Sequence, residues 1–430
     1  MNYQETIAFL YGRLPMFSRI GEAAIKKDLT NTRALCANLG DPHLKFPTIH
    51  IAGTNGKGST SHMLAAILQT AGYKTGLYTS PHLYDFRERI RINGQMVPEQ
   101  YITQFVAKHQ VLIESINPSF FEVTVAMAFD HFAEEQVDVA VIETGLGGRL
   151  DSTNIITPVL SIITNIGYDH MNILGDTLEA IASEKAGIIK SGIPAVIGER
   201  NPVTAPVFRN KASLEQAPIH FAEDHYRVIE NSPKGKELEV QVENSASQTR
   251  ATYMLDLPGR YQLKNLVSVL TALDVLKENG FPVSGEHRRE GLSQVMKRTG
   301  LRGRWDQLRS SPTVIIDVAH NPDGIREVIH QLRETPHERL HWILGMVKDK
   351  AVDKVLELLP KDAAYYFTKA QLPRALDENE LCRRAADFGL SGLPFPDVNR
   401  AYQHALKMAG EKDLVLVCGS VFIAAELDRD

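Results

Sequence analysis

The sequence predicts an α/β protein: parallel sheets covered by helices, in two domains of unequal size. Three observations predict it. Residues 49–52 form a short apolar strand that runs into Gly53-Thr54-Asn55-Gly56-Lys57-Gly58-Ser59, and a helical pattern with Met63, Leu64, Ile67, Leu68 and Ala71 on one face follows at once. Almost continuously apolar runs at 137–142, 159–164 and 193–197 alternate with helical stretches, as strands buried on both faces do. After a glycine- and arginine-rich link at 300–304, apolar strands recur at 314–316, 340–344, 365–368 and 414–417, enough for a second α/β unit. The reading is a first domain over 1–299 with a phosphate loop and a parallel sheet, and a smaller Rossmann-like domain over 300–430.

Taken in order, residues 3–10 read as a short helix, 16–21 as a glycine-ended loop with exposed apolar residues, and 29–39 as a helix closed by Gly40-Asp41-Pro42. Phe17 in that loop suits either packing or a flap over a flat apolar ligand. Residues 74–79 form a strand ending at Ser80-Pro81-His82, and 87–93 alternate charge with isoleucine before an Asn93-Gly94 turn. Helices follow at 99–115 and 121–136. The strand 137–142 leads to Glu143 and a run through Asp151; the strand 159–164 leads to Asn165 through His170; 177–190 is a helix. Residues 226–257 read as an antiparallel ribbon decorating the domain, followed by a helix whose early turns carry Asn265.

Composition excludes several classes. Of 430 residues, 43% are hydrophobic and 23% charged, as in an ordinary globular protein, and a formal net charge of −5 provides no basic field for nucleic acid. Cys36, Cys382 and Cys418 are too few for a disulfide framework or a four-cysteine zinc site, which points to a reducing cytoplasm. The first residues lack the basic start and apolar core of a signal peptide, and no run is long enough to cross a bilayer.

The glycine-rich turn is the clearest chemical signal. Glycines let backbone N–H groups turn inward, the helix start adds partial positive charge, Lys57 neutralises phosphate and Ser59 reaches Mg²⁺. The ordinary phosphate loop has a glycine six residues before its lysine and a hydroxyl residue directly after it; here those places hold Ile51 and Gly58. Ligands of parallel sheets lie at strand C-termini, where Ser80, Glu143 and His170 converge with Ser59. A carboxylate, an imidazole and hydroxyls suit Mg²⁺ or Mn²⁺ beside phosphate oxygens; His170 alone reads better as a hydrogen-bonded corner, and Glu143 and the phosphate loop in register turn the reading to a metal role. Lys185 on its own reads as a solvated helix lysine. Asp317 ends a strand, where it suits a ribose, and Arg304 is either a phosphate clamp or half of a salt bridge.

Together these segments resemble the Mur-ligase superfamily, and Gly58 resembles the folylpolyglutamate synthase and dihydrofolate synthase branch. The likeness is carried by Gly53 through Ser59, Tyr78-Thr79-Ser80-Pro81-His82, Glu143 through Asp151, Asp169-His170, Glu184 through Lys190, and Asp317 through Gly324, in the family's order. Only 52 residues precede Gly53, too few for the nucleotide-sugar domain of a cell-wall ligase. The resemblance implies an ATP-dependent amide ligase that joins L-glutamate to folate or dihydropteroate. It implies that Thr54, Asn55, Gly56, Lys57, Gly58, Ser59, Asn265, Arg304 and Asp317 contact ATP. Ser59, Ser80, Glu143 and His170 would hold Mg²⁺ in two sites, with Lys57, Lys185, Glu143 and His170 the catalytic set. It further implies a CO₂-derived carbamate on Lys185, and pterin contacts from Ser119, Phe120, Phe121 and Glu122 and from Leu150, Asp151 and Ser152. At Ala351, beside Lys348-Asp349-Lys350, many relatives carry an acidic residue. Dihydrofolate synthase activity alone, or a nucleotide-dependent binding protein, are the rival readings. The chain is read as a monomer without nucleic-acid or membrane partners.

Overall fold

The computed structural model describes residues 1–430 except Ile25, Lys27, Asp349, Arg429 and Asp430, and the side chain of Ser18. Asp349, the middle of the Lys-Asp-Lys loop, therefore lies outside the described residues. The chain forms two compact units. The first takes in Met1–Gly167, Met171–Asp256 and Gln262–Leu301; the second takes in Tyr168–His170, Leu257–Tyr261 and Arg302–Asp430.

The first unit is built on an eight-stranded sheet of β1 (Thr48–Ala52), β2 (Thr75–Tyr78), β3 (Ile90–Ile92), β4 (Gln95–Met96), β5 (Val139–Glu143), β6 (Leu160–Ile163), β7 (Ala195–Ile197) and β8 (Ile219–Phe221). Its order is β4-β3-β2-β5-β1-β6-β7-β8, parallel except where β3 meets β2 and β4. β1 and β5 are buried at every residue, because helices cover both faces. β1 has β5 and β2 on one side and β6, β7 and β8 on the other. The chain thus leaves β1 in both directions, and a crevice opens at the strand C-termini. Ile51 pairs with Glu143 and Ala52 with Ile163, so the phosphate turn after Ala52 and the Glu143 carboxylate share one sheet edge.

The helix Phe120–Glu134 starts with a capping box. Ser119 accepts from the Glu122 N–H at 3.2 Å, and Glu122 accepts from the Ser119 N–H at 2.6 Å. Phe132 on this helix packs edge-on against Phe46 at 5.9 Å and lies over Gly76 of β2, where a Cβ would come within 3.1 Å of its ring. A three-stranded antiparallel sheet, β9 (Tyr226–Lys234), β10 (Glu237–Asn244) and β11 (Arg250–Leu255), forms the expected ribbon.

The second unit holds a six-stranded sheet: β12 (Asp306–Ser310), β13 (Thr313–Asp317), β14 (Leu340–Leu344), β15 (Ala364–Phe367), β16 (Gly392–Pro394) and β17 (Leu414–Cys418). The order is β12-β13-β17-β14-β15-β16, and only β12 runs antiparallel. Trp342, Tyr365 and Phe367 stack within its core.

Several sequence readings need correction. Residues 16–21 are not a loop: Phe17–Ile20 is a helical turn followed by a tighter turn at Gly21–Ala24, since a positive φ at Gly21 ends one turn and lets the next begin. The helix read over 177–190 stops at Ala186, where Gly187 caps it. β8, β12 and β16 and the helix Ala205–Leu214 had no sequence expectation; the three strands are short edge strands with little apolar patterning.

Replacing Phe132 by alanine removes a fully buried ring and leaves a cavity against Gly76 and Phe46. The expected loss is about 3–5 kcal/mol, read as a lower urea midpoint by far-UV circular dichroism.

Candidate active site

In the first unit the phosphate loop is held by bonds to the segment after β6 as well as by its own side chains. Thr54 N–H donates to the Asn165 carbonyl at 3.0 Å, and Asn55 N–H donates to Asn165 Oδ1 at 2.8 Å. Thr164 Oγ1 donates to the Asn55 carbonyl at 2.6 Å, and Thr54 Oγ1 accepts from Gly167 N–H at 3.0 Å. Gly56 sits at φ +83°, and a Cβ there would lie 2.3 Å from Asn265 Oδ1. Only glycine fits both the left-handed backbone and that approach. The helix Lys57–Thr70 then begins with no side-chain cap on its first N–H groups, the arrangement that receives an anion.

Two lysines meet at this loop. Lys57 Nζ donates to the Gly53 carbonyl at 3.1 Å, and Lys185 Nζ donates to the same oxygen at 2.8 Å. The two ammoniums are thus no farther apart than the sum of those distances. Lys185 is 4% exposed, so the solvated-lysine reading of its helix position is overturned. The reason is tertiary: the helix Leu178–Ala186 ends against the loop after β5. A Cβ on Gly187 would lie 2.4 Å from Arg149 Cα, while Arg149 N–H donates to the Glu184 carbonyl at 2.7 Å.

The other residues of the first unit fall into three groups. Ser59, buried at 2% exposure, accepts from Gln262 Nε2 at 3.1 Å, and Gln262 Oε1 accepts from Asn265 Nδ2 at 2.7 Å. Glu143 accepts from the Ser80 N–H at 3.2 Å, which brings two expected metal residues into contact. Asp151 accepts from the N–H groups of Leu146 at 2.7 Å and Thr153 at 3.0 Å, and burial pushes its carboxyl above the usual range. Leu150 and Ser152 flank it, both half-buried. Ser119 and Glu122 are engaged in the capping box, Phe120 is buried, and half-buried Phe121 faces Tyr78 at 6.2 Å and Gly145. Gly58 lies in the first turn of the helix after the loop.

In the second unit Asp317 ends β13, 2% exposed, and burial raises its carboxyl above the usual range. Its Oδ2 accepts from the Tyr261 hydroxyl at 2.6 Å and from Trp305 N–H at 2.9 Å, and Oδ1 accepts from Ala319 N–H at 2.9 Å. Arg304 is near enough for its charge to act on Asp317. His170 takes a left-handed φ of +50° in the short segment that belongs to this unit. Beside it, Asp169 is paired with Lys350 and approached by His320 Nε2 and Asn321 Nδ2, each at 3.3 Å. Burial works against the ionised Asp169, but these partners hold its carboxyl well below the usual range.

Asn165, Gln262 and Tyr261 order these sites without having been singled out, and Asp169 enters the sequence reading only through the Asp169-His170 likeness. Asn165 directly follows a strand, and Tyr261-Gln262 opens a helix; those positions are the only sequence signal for them. Among the described residues no three or more His, Cys, Asp or Glu side chains form a metal cage. The donor set of one buried carboxylate with hydroxyls fits a magnesium ion that completes its shell with water and phosphate.

Replacing Gly187 by alanine would push the loop after β5 away from the helix end. Hydrogen exchange at the Leu146 and Arg149 amides should then quicken, while exchange in β1 stays unchanged.

Comparison with known proteins agrees with this architecture. Residues 51–273 match the Mur ligase middle domain, and residues 303–421 match the Mur ligase, glutamate ligase domain. The dihydrofolate synthase/folylpolyglutamate synthase of Bacillus subtilis (strain 168) is 34% identical, over 99% of this chain and 98% of its own length. Escherichia coli FolC, solved in complex with DHPP and ADP, superposes with a TM-score of 0.86 at 31% identity, covering 99% of this chain and 96% of that one. Mycobacterium tuberculosis folylpolyglutamate synthase, solved with ADP and AMPPCP, gives the same TM-score and identity, covering 99% and 98%. A β1 phosphate turn with two converging lysines, and likeness along essentially the whole length of these enzymes, place the chain in the Mur ligase family, as an ATP-dependent ligase of the dihydrofolate synthase/folylpolyglutamate synthase group.

Proposed function

We propose that this ligase is bifunctional: it adds L-glutamate to dihydropteroate and also to reduced folates, with each addition driven by ATP. The observation that carries the reading is the pairing of Lys57 and Lys185 on the Gly53 carbonyl at the mouth of an uncapped helix. That site suits a polyphosphate, and the relatives from Bacillus subtilis and Escherichia coli carry both activities in their names.

The backbone of Thr54 through Ser59 and the Lys57 ammonium would hold the triphosphate, with Asn265, Arg304 and Asp317 contacting the rest of ATP. Ser59, Ser80, Glu143 and His170 would hold Mg²⁺, in two sites, which when bound supplies positive charge against the phosphate oxygens. The acceptor carboxylate attacks the γ-phosphorus, and the bond to the β-phosphate oxygen breaks to release ADP. A carboxylate is a poor acyl donor, and phosphorylation gives it a leaving group. The glutamate amine then attacks the acyl carbon, loses a proton and displaces phosphate, forming the amide. Protein catalysis here is positioning and charge neutralisation. Pterin contacts would come from Ser119 through Glu122 and from Leu150 through Ser152; the buried Asp151 carboxylate gives that loop a fixed polar end.

Lys185 has a physical reason to be carbamylated. Two ammoniums on one carbonyl repel each other, and CO₂ addition turns one of them into an anion that attracts Lys57. Lys185→Ala should lower turnover by about two orders of magnitude or more, in line with loss of a group that acts only in the transition state, while ADP still binds by calorimetry. Unchanged turnover would remove Lys185 from the chemistry. For the overall reading, ADP release is measured with dihydropteroate and with tetrahydrofolate, each with and without glutamate. Release that requires glutamate, with a mass gain on both acceptors, is expected. Gain on dihydropteroate alone reduces the function to dihydrofolate synthase, and release indifferent to glutamate refutes the ligase.

A further inference from the structure

Arg89 is a buried cation that no carboxylate meets in a direct ion pair among the described residues, although the Glu143 charge acts on it. It precedes β3 and is 8% exposed. Its Nε donates to His82 Nδ1 at 2.8 Å, and its guanidinium lies 5.3 Å from the centre of the Phe120 ring. Accepting at Nδ1 leaves His82 Nε2 to carry the proton and face the Tyr11 hydroxyl at 3.4 Å. An imidazole is neutral or cationic, so His82 cannot serve as the counter-ion. The Tyr78 hydroxyl, fully buried and near enough to sense the guanidinium, makes no hydrogen bond of normal geometry. Burial pulls Arg89 itself below its ordinary pKa.

A buried guanidinium offset only by a carboxylate outside direct pairing distance is costly to keep dry and gains from an anion that pairs with it directly. Its planar fork matches a carboxylate in two parallel hydrogen bonds. The position is also informative. The Arg89 carbonyl accepts from Thr79 N–H at 3.1 Å, one residue before Ser80, whose own N–H reaches Glu143. Arg89 therefore sits at the end of β2 where the phosphoryl chemistry is proposed, between aromatic rings, with the half-exposed Tyr11 and His82 as its rim.

We propose that Arg89 is the acceptor-substrate anchor: its guanidinium receives the carboxylate of the pteroyl acid, with the aromatic ring of that acid lying toward Phe120 and Tyr11. This rests on the folate-acceptor reading above. In this role Arg89 sets which acids are accepted, and a neutral amide in place of the carboxylate loses the contact.

The test uses the whole enzyme and two probes, dihydropteroate and its carboxamide, titrated by pterin fluorescence without ATP. The wild type should bind the acid at least about tenfold more tightly than the amide, the loss expected for one charge-assisted contact. Arg89→Gln should bind the two alike, and Arg89→Lys should recover part of the preference. In the assay, KM for dihydropteroate should rise about tenfold or more in Arg89→Gln, with KM for ATP unchanged. Equal affinity of the wild type for acid and amide overturns the proposal and needs no variant to fold. A rise in KM for ATP instead would make Arg89 a nucleotide contact and equally overturn it. If the wild type makes no glutamylated product, the ligase reading itself has failed; if it does and the preference is absent, only this inference has.

Discussion

The Gly53 carbonyl is where the first unit is tied together. It directly follows the central strand, and it receives both Lys57 from the helix after the turn and Lys185, 132 residues along the chain. For Lys185 to reach it, the helix Leu178–Ala186 must end against the loop after β5. That requires Gly187 to have no side chain and the Arg149 amide to bond Glu184. The same loop continues to Asp151, whose carboxylate gathers its N–H groups. One oxygen thus couples the phosphate turn, the lysine helix and the loop assigned to pterin. Any ligand that changes the charge on either lysine acts on all three.

This economy concentrates positive charge. The helix after the phosphate turn has no side-chain cap, Lys57 and Lys185 both donate to the Gly53 carbonyl, and Arg89 has no directly paired carboxylate among the described residues. Each costs folding free energy that a well-capped, well-paired site would not lose. Each is also a preorganised electrostatic demand that a phosphate or a carboxylate meets without moving the protein. Sites of this kind are stabilised by what they bind, in proportion to the logarithm of ligand concentration over Kd.

The parts of this fold legible in the sequence are those fixed by local rules. β1, β5 and β6 announce themselves because strands buried on both faces must be apolar throughout, and the phosphate turn announces itself because glycine alone tolerates its backbone. The antiparallel ribbon follows from alternation. Edge strands β8, β12 and β16 do not show, since a short strand with one neighbour needs little apolar patterning. The site divides in the same way. Glu143 and Asp317 are visible as acids that end strands. Lys185 is visible only through resemblance, because its burial is decided by a loop more than thirty residues earlier. Asn165 and Gln262 act through hydrogen bonds that no spacing encodes.

Arg89 shows why the last kind of residue needs the structure. In sequence it belongs to a run that alternates charge with isoleucine, and such a run usually places its charges in water. The actual strand is only three residues long, and Arg89 precedes it, in the turn Phe86–Arg89. A turn is not bound by alternation, so the side chain can point inward among Phe120, His82 and Tyr78. A charge carried inward by a turn, with no carboxylate paired directly to it among the described residues, is neither a solvated residue nor a structural salt bridge. Its placement makes sense where an anion arrives from outside, and the neighbouring Ser80–Glu143 contact marks the place where an acid would have to present itself to be activated.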